Sequence, residues 1–294
     1  MLNKILVPTD GSELSERAIP VAEDLAVAQA AHIVLVTVVA PPAITVMASG
    51  GELDPDLYSK IVEAEEDVAV RLLDRLANHA RSRGICARSL LLHDSPIHGL
   101  LNAQATQKPD FVVMATHGRT GFTRFARGSV SDSLLRDGTT PILMVPSFGK
   151  CGGMTRALVP LDGSPLAEAV LPRVEALAGR PLQHVDLLGV VEPQQRRSHI
   201  GTYLRSIADR LSLAHVSVSV HVRFGRPSEA IAGLAEGADL VMMSTHGRGG
   251  FSRLRNGSVA EELLRMVGVP MFLVRGDTGA SRAVPENFPA ARVA

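Results

Sequence analysis

The sequence predicts an α/β protein made of two doubly wound domains, each a five-stranded parallel sheet with helices on both faces. Three observations lead there. Short apolar, β-branched runs alternate with helix-spaced segments along the chain. The runs are apolar throughout rather than at every second residue, the pattern of strands covered on both faces. And the chain is written twice: "ILVPTDGSELSERAIPVAEDLA" from Ile5 returns as "ALVPLDGSPLAEAVLPRVEALA" from Ala157. "ATHGRTGFTRFARGSV" from Ala115 returns as "STHGRGGFSRLRNGSV" from Ser244. A repeat this long means whole domains rather than solenoid units.

Element by element, the first copy opens with "KILVP", a short apolar strand. "SELSERAIPVAEDLAVAQA" then has helical spacing, with Pro20, like Pro172 in the second copy, well inside the helix. Proline there removes a hydrogen bond, so a kink is expected. "HIVLVTVV" is the second strand and "DLYSKIVEAEEDVAVRLLDRLANHARSR" a long amphipathic helix. "ICARSLLL", "DFVVMA" and "PILMV" supply strands three to five, separated by the helices "PIHGLLNAQATQ" and "SVSDSLLRDG". Strand order does not follow from periodicity.

Asp10 and Asp162 are 152 positions apart, as are Pro20 and Pro172, whereas Gly118 and Gly247 are 129 apart. About 23 extra residues therefore sit in the first copy, mostly between Ala40 and Arg83, as a longer loop and second helix. The expected organisation is a first domain over 1–147, a Gly-rich linker over 148–155 and a second domain over 156–276. The tail 277–294 lacks periodicity and is the candidate disordered segment.

Of the 294 residues, 46% are hydrophobic and 20% charged, and the 30 basic side chains balance the 30 acidic ones. No bulk field favours nucleic acid or an anionic membrane. Trp is absent and Tyr and Phe are few, which removes an aromatic platform for single-stranded nucleic acid. The longest apolar stretch is broken by Pro41 and Pro42 and is too short to span a bilayer. Two cysteines without a C-x-x-C, and no signal-peptide pattern at the start, give a cytoplasmic expectation.

The unusual residues fall at carboxyl ends of strands, the edge where open α/β sheets bind ligands. "VPTDGS" and "VPLDGS" end the first strands, "VTVVAP" and "LGVVEP" the second, and the Gly/Arg loops follow the fourth. Gly128–Ser129 and Gly257–Ser258 open helices, whose unpaired N–H groups suit phosphate. Each loop adds three arginines: Arg119, Arg124 and Arg127, then Arg248, Arg253 and Arg255. The alternative is a plain helix cap, since Ser129 with Asp132 and Ser258 with Glu261 match a capping box. Asp10 and Asp162 suit hydrogen bonding to a sugar hydroxyl or an adenine amine. They also suit a turn aspartate ahead of a helix capped by Ser12 or Ser164, with Pro165 in its first position. His93, His98, His117 and His246 have no ligand partners at metal spacing, so structural roles are favoured. No nucleophile with a base, and no carboxylate pair across a cleft, is evident.

With these residues assembled, the chain resembles the universal stress protein family as a tandem two-domain member. The family's nucleotide signature is G-x-x-G, nine residues, then G-[ST]. Gly118, the nine residues Arg119–Arg127 and Gly128–Ser129 reproduce its later part, as do Gly247, Arg248–Asn256 and Gly257–Ser258. Ala115 and Ser244 stand where ATP-binding members have glycine, and a Cβ there obstructs close approach.

The resemblance implies a flavodoxin-like fold of the adenine-nucleotide α-hydrolase type, with strand order 3-2-1-4-5. It implies one ATP site per domain, with a divalent cation such as Mg²⁺ bridging the phosphates. The first site would draw on Pro8, Thr9, Asp10, Val38, Ala115, His117, Gly118, Arg119, Gly128, Ser129 and Val130. The second would draw on Pro160, Leu161, Asp162, Val190, Ser244, His246, Gly247, Arg248, Gly257, Ser258 and Val259. Adenine would lie against Val38 or Val190, with ribose and phosphates over the glycine loop. The last strands, "PILMV" and "PMFLV", would pair the two domains with each other, and further homodimerisation is left open. The expected role is an ATP-binding stress-response module, at most a slow ATPase. The rival is a scaffold of the same fold that binds no nucleotide. An enzyme acting at the α-phosphate is disfavoured, because no S-G-G-x-D-S loop follows the first strand.

Overall fold

The computed structural model describes residues 3–40, 55–116, 130–149, 151–192, 199–212, 216–246 and 259–276. The first half runs β1 (Lys4–Pro8), α1 (Glu13–Glu16), α2 (Ala18–Gln29), β2 (His32–Val39), α3 (Pro55–Ser82) and β3 (Ala87–His93). It continues through α4 (Pro96–Gln107), β4 (Phe111–Ala115), α5 (Val130–Asp137) and β5 (Ile142–Val145). The second half repeats the series: β6 (Arg156–Pro160), α6 (Pro165–Glu168), α7 (Leu171–Leu177), β7 (His184–Val191) and α8 (Ile200–Ser212). It closes with β8 (Ser217–Phe224), α9 (Pro227–Ala235), β9 (Leu240–His246), α10 (Val259–Met266) and β10 (Met271–Gly276). The first copy's extra length shows in α3, which has 28 residues against 13 in α8.

The expected kink at Pro20 and Pro172 is replaced by a clean break. The predicted first helix is two helices, α1 and α2, divided at Arg17, and its counterpart divides between α6 and α7. Each proline thereby lies in the first turn of a new helix, where its missing N–H would have had no intrahelical partner.

The strands form one ten-stranded sheet of order β3-β2-β1-β4-β5-β10-β9-β6-β7-β8. Within each half the order is 3-2-1-4-5 and every pairing is parallel. Alternate strand residues feed two cores. Ile5, Val7, Val159 and Leu187 pack with α2, α3, α7 and α8 on one face. Leu6, Val112, Leu158 and Leu188 pack with α4, α5, α9 and α10 on the other.

β5 and β10 meet antiparallel, with Leu143 opposite Phe272, Met144 opposite Met271 and Ile142 opposite Leu273. Leu143 and Phe272 are also each other's counterparts in the repeat, 129 positions apart. A local two-fold axis therefore passes through that pair. Phe272 also packs edge-to-face on Phe111 of β4, with ring centroids 5.6 Å apart. The chain between the halves is drawn tightly across the seam. Arg17 donates to the carbonyls of Pro146 and Gly149. Gly149, at φ +84°, lies so close that a Cβ would fall 2.1 Å from the Gly268 carbonyl, so only glycine fits. Among the described residues no helix is long and apolar enough to cross a membrane.

Candidate functional site at the carboxyl edge

Strand order reverses between β1 and β4 in the first half and between β6 and β9 in the second. Leu6 pairs with Val112, which brings the end of β1 at Pro8 and Thr9 beside the end of β4 at Ala115. Leu158 pairs with Val241, which does the same for Pro160, Leu161 and Ser244. At such a switch point the connections leave toward opposite faces of the sheet, which is where open α/β sheets take their ligands.

In the first half Thr9 is buried. Its N–H extends the ladder to the Val36 carbonyl at 2.9 Å, and its own carbonyl accepts from Thr37 Oγ1 at 3.0 Å. Its hydroxyl bonds Ser15 Oγ at 3.0 Å and accepts the Gly11 N–H at 3.2 Å. Asp10 is exposed. Its Oδ1 accepts both the N–H and the hydroxyl of Ser12, at 3.0 and 2.6 Å. Ser12 caps α1 by accepting the Ser15 N–H at 3.1 Å. Partial burial works against the charge on Asp10, but the Ser12 and Ser15 hydrogen bonds outweigh it and hold the carboxyl below its ordinary value. The turn-aspartate arrangement is thus formed, on an exposed carboxylate. Gly11, at φ +77°, would set a Cβ 3.0 Å from Leu72 of α3, so that helix roofs the turn.

The second half keeps the backbone and changes the side chains. Leu161, buried, donates its N–H to Leu188 at 2.8 Å. Asp162 Oδ1 accepts the Ser164 N–H at 2.8 Å, and Ser164 caps α6 through the Ala167 N–H at 3.1 Å, with Pro165 in the first helical position. Leu161 and Ala167 replace the hydroxyls of Thr9 and Ser15. Among the described residues a Cβ on Gly163 would meet nothing within 4 Å, so they leave this turn open where the first is roofed.

Ala115 ends β4 half-buried, opposite Val145. Ser244, half-buried in β9, donates its hydroxyl to the Ala167 carbonyl at 3.3 Å. Val38 and Val190 lie half-buried near their strand ends. Gly99 of α4 packs on Val38 so closely that a Cβ would come within 2.9 Å of it. His246 closes β9, where its backbone pairs with Gly276. Val130 and Val259 open α5 and α10 and pack on the core. His117, Gly118, Arg119, Gly128 and Ser129 lie outside the described residues, as do Gly247, Arg248, Gly257 and Ser258 and the tail 277–294. The serines of both proposed capping boxes are among them. The described chain anchors each loop at both ends, at Thr116 and Val130 in one half and at His246 and Val259 in the other.

One polar cluster escaped the sequence reading. Asp186 is 5% exposed in the middle of β7. It accepts from Arg156 Nε at 2.6 Å and Nη2 at 3.0 Å, and meets Nε2 of His221 at 2.8 Å and of His184 at 3.3 Å. Burial opposes its charge, and the Arg156 and His221 hydrogen bonds overcome that, holding the carboxyl below its ordinary value. Its signal was a single acid inside the run "HVDLLGVV". The cluster sits away from the carboxyl edge, and among the described residues neither it nor any other group of His, Cys, Asp and Glu is arranged to hold a metal ion.

The family model described as the universal stress protein family matches the chain twice, over residues 1–146 and 154–275. A universal stress protein of Mycolicibacterium smegmatis is 28% identical over 295 residues, covering 92% of this chain and 96% of that protein. One from Mycobacterium tuberculosis is 26% identical over 306 residues, covering 92% and 94%. The crystal structure of a universal stress protein from Archaeoglobus fulgidus shares the fold, with a TM-score of 0.77 at 22% identity, over 94% of this chain and all of that one. Two matches to one family model fall on two halves that fold alike, and the chain belongs to the universal stress protein family as a tandem two-domain member.

Proposed function

We propose that the chain is a regulatory stress-response module that binds ATP once in each half, with Mg²⁺ on the phosphates, and does no chemistry beyond slow hydrolysis. The reading is supported by what flanks the signature loops: in each half the loop sequence lies between the end of the strand at the switch point and the start of an eight-residue helix. Strand end, glycine spacing and helix start are the parts a phosphate site needs. Adenine would rest against Val38 or Val190, and Asp10 or Asp162 would face the ribose or the base. The two free cysteines suit a reducing, cytoplasmic setting. Arg119 and Arg248 would meet the phosphates, and the antiparallel seam would hold both sites in one body.

The rival reading is a scaffold without nucleotide. It is favoured by the Ser244 hydroxyl, already committed to the Ala167 carbonyl, and by the two aspartates that cap turns. Isothermal titration of the stripped protein with ATP and Mg²⁺ separates the two. One or two equivalents bound supports the switch, with the second site expected to be the weaker. No heat and no thermal shift at millimolar ATP leaves the scaffold. Gly128→Val is expected to abolish binding at the first site and spare the second.

A further inference from the structure

We propose that Arg275, a residue of the second half, is a positioning residue for the nucleotide site of the first half; the inference rests on the ATP reading above. The antiparallel register carries the end of β10 past the start of β5. Leu273 lies opposite Ile142, so Arg275, two residues on, reaches the turn between α5 and β5. There its Nη1 donates to the carbonyls of Arg136 and Gly138, at 3.3 and 3.1 Å. These are the carbonyls at the C-terminal end of α5, which a helix leaves without internal partners and where its dipole is negative. The guanidinium supplies both the donor and the positive charge. Its Nε is buried and has no partner among the described residues, so the two carbonyls are what hold the group in place.

α5 has eight residues, and its other end follows directly on Gly128–Ser129. A helix this short has little stability of its own, so whatever fixes one end fixes the N–H groups at the other. Arg275 therefore sets the phosphate-facing end of the first site from across the seam. The arrangement is not reciprocal. The counterpart of Arg275, 129 positions back, is Pro146, which has no donor. After α10, Gly268 is instead backed by the Phe148 ring and the Gly149 backbone. The first half thus receives an arginine from the second at a repeat position where it offers only a proline in return.

The test uses the full chain as wild type, Arg275→Ala and Arg275→Lys. Hydrogen exchange of peptides covering α5 and α10 is followed across a titration with ATP and Mg²⁺, so that each helix reports its own site. The expected result for Arg275→Ala is faster exchange in α5 without nucleotide and about a three- to tenfold higher ATP concentration for half-protection of α5. α10 should protect as in wild type, and Arg275→Lys should recover part of the loss. Unchanged half-protection of α5 in Arg275→Ala would overturn the proposal. Equal weakening at α5 and α10 would overturn it too, since that is general destabilisation. Wild-type protein that binds no ATP at either helix would instead remove the nucleotide reading, and this inference with it.

Discussion

The turn after β1 and the turn after β6 have the same backbone and different side chains. In both, the residue after the strand extends the ladder, an aspartate accepts the N–H two residues on, and a serine caps the next helix. In the first, Thr9, Ser12 and Ser15 add a chain of hydroxyl bonds and Leu72 covers the turn. In the second, Leu161 and Ala167 end that chain, and the described residues leave the turn open. The sheet faces diverge as well. Val34 sits in the core of the first half, where the second half has Asp186 with Arg156, His184 and His221. Main-chain bonds hold the shape of the edge. The side chains on it were free to drift apart, and sites built on the two edges differ accordingly.

The largest effect that would sharpen this contrast is at Asp186. Asp186→Ala should cost about 2–3 kcal/mol in urea unfolding, because it leaves the Arg156 guanidinium without its buried carboxylate. The same carboxylate predicts a pH dependence. Its folded pKa lies below the ordinary 3.8, so its contribution is full above that value and is lost as pH falls through the folded one. The advantage of wild type over Asp186→Asn should thus shrink on acidification below about pH 4, and a constant difference would break the assignment. Next come the turn glycines. Gly11→Ala should cost about 2 kcal/mol, for the positive φ and the displaced Leu72, and Gly163→Ala about 1 kcal/mol, for the φ alone. Equal melting shifts would mean that the roof over the first turn carries no weight. Smallest is the aspartate pair. Asp10→Ala should cost about 1 kcal/mol and Asp162→Ala about half that, since Asp10 holds two groups of its capping serine and Asp162 one. The reverse order by thermal melting would contradict the hydrogen-bond count.

Much of this was legible in the sequence, for identifiable reasons. Strands buried on both faces are written as unbroken apolar runs, so "HIVLVTVV" and "DFVVMA" announced themselves. The repeat offset located both edges. Strand order was not legible from periodicity and came with the family resemblance. The break at Arg17 was misread as a kink, because helical spacing continues across it and only backbone geometry reveals that Pro20 begins anew. The cluster around Asp186 was missed because its partners are far apart in sequence: Arg156, His184 and His221 meet only once β6, β7 and β8 pair. Arg275 was invisible for the same reason, since its carbonyl partners at Arg136 and Gly138 belong to the other half.

The axis through Leu143 and Phe272 bears on the history of the fusion. Identical subunits meeting at such an axis must present the same residue from both sides, so only self-matching choices are open there: leucine on leucine, or phenylalanine on phenylalanine. Joining the copies in one gene lifts that degeneracy. The chain answers with unlike residues, phenylalanine at Phe111 and Phe272, leucine at their repeat partners Leu240 and Leu143. Once the two sides of an axis are separate positions in one chain, a self-paired contact can be substituted on each side independently, and a large ring can face a smaller side chain across it.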